Sequence, residues 1–203
     1  MMALLIVDVQ NDFCPGGTLA VAKGDRVAAP LARLAARFVA VGLPVFASRD
    51  WHPPETAHFE SAGGPWPAHC VRDTPGAALH ADLVLPTSAV ILSKGVDPQA
   101  DGYSAFEGRD REDRDLAELL AAARVDHLLV GGLATDYCVR ASVLEALRRG
   151  LQVTLLTDAV AGVNVQPGDA ERAIEEMVAA GAHLATTEQV VPDRAVNGGS
   201  GNG

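Results

Sequence analysis

The stretch GGLATDYCVRASVLEALRRG, residues 131–150, decides the fold. Its paired glycines follow directly on an apolar run, HLLV, that reads as a buried strand. It closes with the amphipathic run VLEALRR and Gly150, a helix with a glycine stop. Cys138 falls between them, near the first turn of that helix. Unpaired N–H groups and the positive end of the helix dipole gather there, so the thiol is expected to have a lowered pKa and more thiolate. For a single cysteine, a small buried residue packed beneath a helix is the plainer reading. The ends of the other strands decide between the two.

Working outward, residues 3–9 (ALLIVDV) are apolar except for Asp8, as expected of a fully buried parallel strand. Residues 10–24 read as a loop. Asp25 is expected to cap a helix to about Val41, stopped by Gly42, with Pro30 tolerated early in it. PVFAS, residues 44–48, is a second strand that delivers Asp50 and His52. A proline- and glycine-rich stretch to about Pro86 holds both tryptophans and four of the six histidines, which marks it as functional. AVILS, residues 89–93, is a third strand ending at Lys94. A second irregular stretch carries Tyr103 and Phe106, and LAELLAAARV is a helix to about Val125. Further strands are read at HLLVGG, at 151–156 and at HLATT. A helix over 169–181 is expected to be capped by Asp169 and stopped by Gly181. The alternation predicts an α/β fold: an open, mostly parallel six-stranded sheet with helices on both faces. A single domain over 1–196 is expected, followed by a flexible Gly/Asn/Ser tail from Asn197.

The formal net charge of −10 argues against nucleic acid or an anionic membrane as partner. No apolar run is long enough to span a membrane, and the N-terminus reads as a strand rather than a secretory signal. Three widely spaced cysteines, Cys14, Cys70 and Cys138, form no disulfide framework, so a reducing, cytoplasmic location is expected. The glycine-rich dinucleotide and P-loop signatures are missing after the first strand. A monomer and a homo-oligomer both remain open.

In an open α/β sheet, ligands bind outside the carboxyl ends of the strands. Those ends carry Asp8, then Asp50 and His52, then Lys94, then Cys138. A carboxylate, a lysine and a helix-start thiol on one rim amount to a nucleophile with a base and a cation. Asp50 and His52, with His58 and His69 in the loop behind, are the residue types that hold zinc, iron or manganese. Phe13, Trp66 and Tyr103 are candidate walls for a flat ligand.

Five segments in order, LLIVDVQNDFCPGGTLAV, SRDWHPPETAHF, WPAHCV, SKGVDPQADGYSAF and GGLATDYCV, carry a resemblance. The chain resembles the nicotinamidase (pyrazinamidase) branch of the isochorismatase-like cysteine hydrolases, a three-layer α/β/α fold. The resemblance implies Asp8, Lys94 and Cys138 as a catalytic triad. It implies one divalent metal ion (Zn, Fe or Mn) on Asp50, His52 and His69, with His58 a ligand only in some members. It implies a cis peptide between Leu133 and Ala134 and an oxyanion hole from the N–H groups of Ala134 and Cys138. Phe13, Trp66, Tyr103, Leu133, Ala134 and Tyr137 are implied at the substrate pocket, Tyr137 standing where some relatives carry histidine. The implied activity is hydrolysis of nicotinamide to nicotinate and ammonia, with pyrazinamide as a further substrate, through a thioester, in NAD salvage. Another small amide or a ureido compound as substrate, or a non-catalytic binder, are the alternatives.

Overall fold

Residues 1–193 are described by the structure, a computed structural model; the tail expected from Asn197 onward lies outside the described residues. The first strand, β1 (Met2–Val7), is buried from its second residue on. Its side chains alternate between two cores, as a strand's period of two requires. Leu4 and Ile6 join one core with Leu31, Leu34 and Phe38, while Ala3, Leu5 and Val7 join the other with Leu116, Leu120 and Val143. Helix α1 (Ala28–Ala40) covers the first face. Helices α2 (Leu116–Ala122), α3 (Arg140–Arg148) and α4 (Asp169–Ala179) lie on the second.

The remaining strands are β2 (Val45–Asp50), β3 (Val90–Lys94), β4 (His127–Leu133), β5 (Gln152–Ala161) and β6 (His183–Ala185). They form one sheet in the order β3-β2-β1-β4-β5-β6, every pair parallel. The strand order reverses between β1 and β4, so the ligand crevice of a doubly wound sheet opens above them. Gly132 is required where β1 and β4 meet. Its φ is +124°, and a Cβ there would lie 2.0 Å from the carbonyl oxygen of Val7.

Three local expectations are corrected. Asp25 does not cap α1, because the chain enters through a 3-10 turn at Gly24–Val27 and Val27 precedes the helix with no side-chain cap. Asp169 is the first residue of α4 rather than its cap; Gly168, at φ 83°, precedes it, and the Asp169 carboxylate accepts from the Gln166 N–H at 2.7 Å. β5 runs on past 156 to Ala161, across a bulge where the β4 register shifts between Val130 and Gly132. By contrast, α2 has a full capping box, Asp115 with Glu118.

Candidate active site

Because the sheet is parallel, the carboxyl ends of β1 to β4 share one rim, and four side chains converge there. Asp8 follows β1, Asp50 and Lys94 end β2 and β3, and Cys138 follows β4. Asp8 sits at φ 48°, where the chain turns out of the sheet. Cys138 lies in a single π-helical turn, Thr135–Val139, that leads into α3. This corrects the expected first α-helical turn. The preceding Leu133–Ala134 peptide is cis.

Lys94 is the hub, and its side chain is fully buried. Its Nζ lies 2.8 Å from Asp8 Oδ2, bonds to Asp50 Oδ1, donates to the Gly102 carbonyl at 2.8 Å, and stands 3.4 Å from Cys138 Sγ. Asp8, Asp50 and Cys138 offer ligand-type atoms within 4.8 Å of one another. Ser48 Oγ donates to the other Asp8 oxygen at 2.7 Å.

Electrostatics divide these groups. Burial pushes the Asp8 carboxyl up, and neighbouring Asp50 adds to that against the pull of Lys94. For Asp50 burial acts the same way, but Lys94 and His52 outweigh it and hold the group well below the usual carboxylate range. Burial would lower Lys94, yet Asp50, Asp8 and Cys138 keep it above its ordinary value. The Cys138 thiol is pushed well up by burial, with Asp8 and Asp50 reinforcing that and Lys94 opposing it. The expected lowered pKa is therefore overturned. Loss of solvent and two nearby carboxylates outweigh the helix-start dipole, so the resting group is a thiol.

Beside this cluster lie three buried imidazoles, His52, His58 and His69, whose ligand atoms fall within 4.8 Å of one another. Each ring is held through Nδ1: His52 on the Gly95 carbonyl at 3.0 Å, His58 on Asp101 Oδ1 at 3.2 Å, His69 on the Pro67 carbonyl at 2.7 Å. A carbonyl or carboxylate only accepts, so Nδ1 carries the proton and Nε2 keeps its lone pair. His52 Nε2 is buried with no hydrogen-bond partner. Burial lowers the His69 pKa to about 4 and also lowers His58, so both stay neutral near pH 7. Three rings held through Nδ1 on carbonyl or carboxylate oxygens, with the His52 Nε2 left without a partner, fit a divalent cation. Asp50 borders both groups, its Oδ2 3.7 Å from His52 Nε2.

A cavity above the rim is lined by Phe13, Leu19, Asp50, His58, Trp66, His69, Tyr103, Ala134, Tyr137, Cys138 and Val163. Trp66 Nε1 donates to the Tyr103 hydroxyl at 3.0 Å, and the Trp66 ring stands edge-on to Tyr137 with centroids 5.0 Å apart. Phe13 packs against His69. Leu133 is not in the lining; its side chain is fully buried in the α1-side core. Leu19 and Val163 were missed, since a lone aliphatic residue in a loop gives no sequence signal.

Residues 2–189 match the isochorismatase domain family. The chain belongs to the isochorismatase family. Among its relatives in that family, the Escherichia coli (strain K12) nicotinamidase is 44% identical, covering 91% of this chain and 94% of the relative. The crystal structure of pyrazinamidase of Pyrococcus horikoshii in complex with zinc superposes with a TM-score of 0.84 at 44% identity, over 91% of this chain and 98% of that one. A protein from L. infantum in complex with nicotinate gives a TM-score of 0.82 at 33% identity, over 94% and 95%.

Proposed function

We propose that this isochorismatase-family protein is an amide hydrolase that converts nicotinamide to nicotinate and ammonia, and pyrazinamide to pyrazinoate. The observation that carries the reading is the meeting on one rim of Cys138, Asp8 and Lys94 with three imidazoles whose Nε2 lone pairs are left over. The nicotinamidase, pyrazinamidase–zinc and nicotinate-bound relatives support it.

In this reading Asp8 is the general base, Cys138 the nucleophile and Lys94 the fixed cation. The thiol proton passes to Asp8, moving one negative charge from carboxylate to sulfur. Both positions adjoin the same ammonium, so no net charge is created in the buried site. The sulfur attacks the carboxamide carbon and forms a C–S bond. The N–H groups of Ala134 and Cys138 receive the oxyanion, each contribution being about 3 kcal/mol. Collapse breaks the C–N bond, and protonated Asp8 gives its proton to the departing nitrogen, which leaves as ammonia. Water then attacks the thioester with Asp8 again as base, and the proton returns to the sulfur as the acid leaves.

His52, His69 and His58, with Asp50 at the border, are assigned to hold a divalent ion, and zinc suits this donor set. When bound, that ion supplies a Lewis-acid contact for a pyridine-type ring nitrogen. Phe13, Trp66, Tyr103 and Tyr137 provide flat walls for the ring. That positioning turns attack by Cys138 into an effectively intramolecular step. Three free cysteines suit a reducing cytoplasm, and among the described residues no helix is long and apolar enough to cross a membrane.

Ammonia release from nicotinamide, measured with and without chelator, tests the reading. Release that stops with chelator and returns with added zinc is expected. Cys138→Ala should abolish release while leaving fold and zinc content intact. A chain inert toward nicotinamide but active on a ureido compound, indifferent to chelator, would overturn the substrate assignment.

A further inference from the structure

β1 and β2 pair at Leu4–Val45, Leu5–Phe46 and Ile6–Ala47, and the Asp8 N–H reaches the Ser48 carbonyl at 3.2 Å. The chain then turns away at Asp8, while β2 runs on to Asp50. On one side Asp50 pairs with Lys94 of β3. On the other side, the side chain of Gln10 takes the position a strand would hold. Its Oε1 accepts from the Asp50 N–H at 2.7 Å, and its Nε2 donates to the Asp50 carbonyl at 2.8 Å. The second Nε2 hydrogen goes to the Ala77 carbonyl at 2.9 Å. Gln10 is fully buried, and its three partner atoms all belong to the backbone.

We infer that Gln10 is a positioning residue: its amide fixes the Asp50 carboxylate between the Lys94 ammonium and the histidine cluster, and so sets the affinity of that cluster for a divalent ion. The inference rests on the metal-site reading above. Asp50 serves two neighbours at once, with Oδ1 on Lys94 and Oδ2 3.7 Å from His52 Nε2, so a small shift of its backbone misplaces both. Without the amide, the Asp50 N–H and carbonyl lose their partners in a buried place and are driven to move toward others. The loop around Ala77 does not hang on Gln10 alone, because Asp12 N–H reaches Gly76 O and Asn11 N–H reaches Ala78 O, both at 3.0 Å. Losing the Gln10 amide therefore acts first on Asp50.

The experiment is a zinc titration of chelator-stripped protein against a chromophoric chelator, for wild type, Gln10→Met, Gln10→Asn and Leu34→Ala. Leu34 is buried in α1, in the core on that face of the sheet, and reports the effect of destabilisation alone. Gln10→Met keeps the volume and removes the amide. A 10- to 100-fold weaker zinc affinity is expected, on the order seen when outer-shell partners of a metal ligand are removed. Gln10→Asn, which keeps an amide on a shorter arm, should fall in the same direction and also serves if the methionine variant does not fold. Leu34→Ala should bind zinc as wild type does. Equal affinity in a folded Gln10 variant, or an equal loss in Leu34→Ala, overturns the inference while leaving the hydrolase reading in place. A wild-type chain that takes up no zinc overturns the metal site itself.

Discussion

Lys94 Nζ stands 3.4 Å from Cys138 Sγ although their strands, β3 and β4, are third neighbours in the sheet. Strands that far apart are separated by about 14 Å. The gap closes because a long side chain reaches inward from one end and the cysteine turn curls back from the other. Asp50 and Asp8 occupy the two strand ends between them and share the same ammonium. Lys94→Met would leave both carboxylates buried and unpaired. The expected cost is roughly 3–5 kcal/mol, read as a lower urea midpoint, together with loss of ammonia release.

Asp8→Asn should move two measurements in opposite directions. Asp8 is one of the groups that hold the Cys138 thiol up, so its neutralisation lowers that pKa and speeds alkylation of Cys138 by iodoacetamide at pH 7. The same change removes the proton acceptor, and ammonia release should fall by about a thousandfold or more. Slower alkylation alongside the lost activity would show that Asp8 does not act on the thiol in this way.

The placement of this cluster was legible because a parallel sheet gathers every strand's carboxyl end on one side. Asp8, Asp50, Lys94 and Cys138 could each be assigned to a strand end from local apolar runs alone. Their electrostatics were not legible. The dipole argument for Cys138 depends on one helix, whereas the thiol answers to burial and to carboxylates 130 and 88 positions earlier in the chain, at Asp8 and Asp50. Gln10 was invisible for a related reason: its partners are backbone atoms of Asp50 and Ala77, which no side-chain pattern records. The start of α1 was misread because Asp25 is a plausible cap by type, yet the 3-10 turn at Gly24–Val27 already occupies that position.

His52→Ala should strip the metal site. Its Nε2 is the orphaned nitrogen of the cluster, and its Nδ1 is already fixed on the Gly95 carbonyl. Zinc content by mass spectrometry should drop sharply, and KM for nicotinamide should rise while Cys138 remains alkylatable. Undiminished zinc in the folded variant would remove His52 from the ligand set.

Gly132→Ala tests the fold rather than the chemistry. The new Cβ would meet the Val7 carbonyl oxygen at 2.0 Å, in a backbone conformation with φ +124° that side chains rarely adopt. Neither backbone can yield without disturbing the β1–β4 pairing under the site. The expected loss is about 4 kcal/mol or more, seen as aggregation on expression or a collapsed thermal transition.

Acid should destabilise the metal-free protein well above the range of ordinary carboxylate titration. The imidazole of His69 has an ordinary pKa of 6.5 and is pushed down to about 4 in the folded state, chiefly by burial. Between those values the unfolded chain binds the proton and the folded chain does not. Stability is therefore full above pH 6.5, declines as pH falls through that value, and levels off for this group below about 4, where both states are protonated. The difference is worth roughly 3 kcal/mol. His58, lowered by the same cause, adds to the loss. Asp50, held low by Lys94 despite its burial, acts only from the ordinary carboxylate value downward, whereas Asp8, pushed up by burial, binds its proton earlier in the folded state and offsets part of the histidine loss. Urea midpoints of chelator-stripped protein at pH 7.5 and pH 5 should fall together with pH, and His69→Gln should flatten the decline. A decline in His69→Gln as steep as in wild type would mean that this imidazole is not kept neutral by the fold.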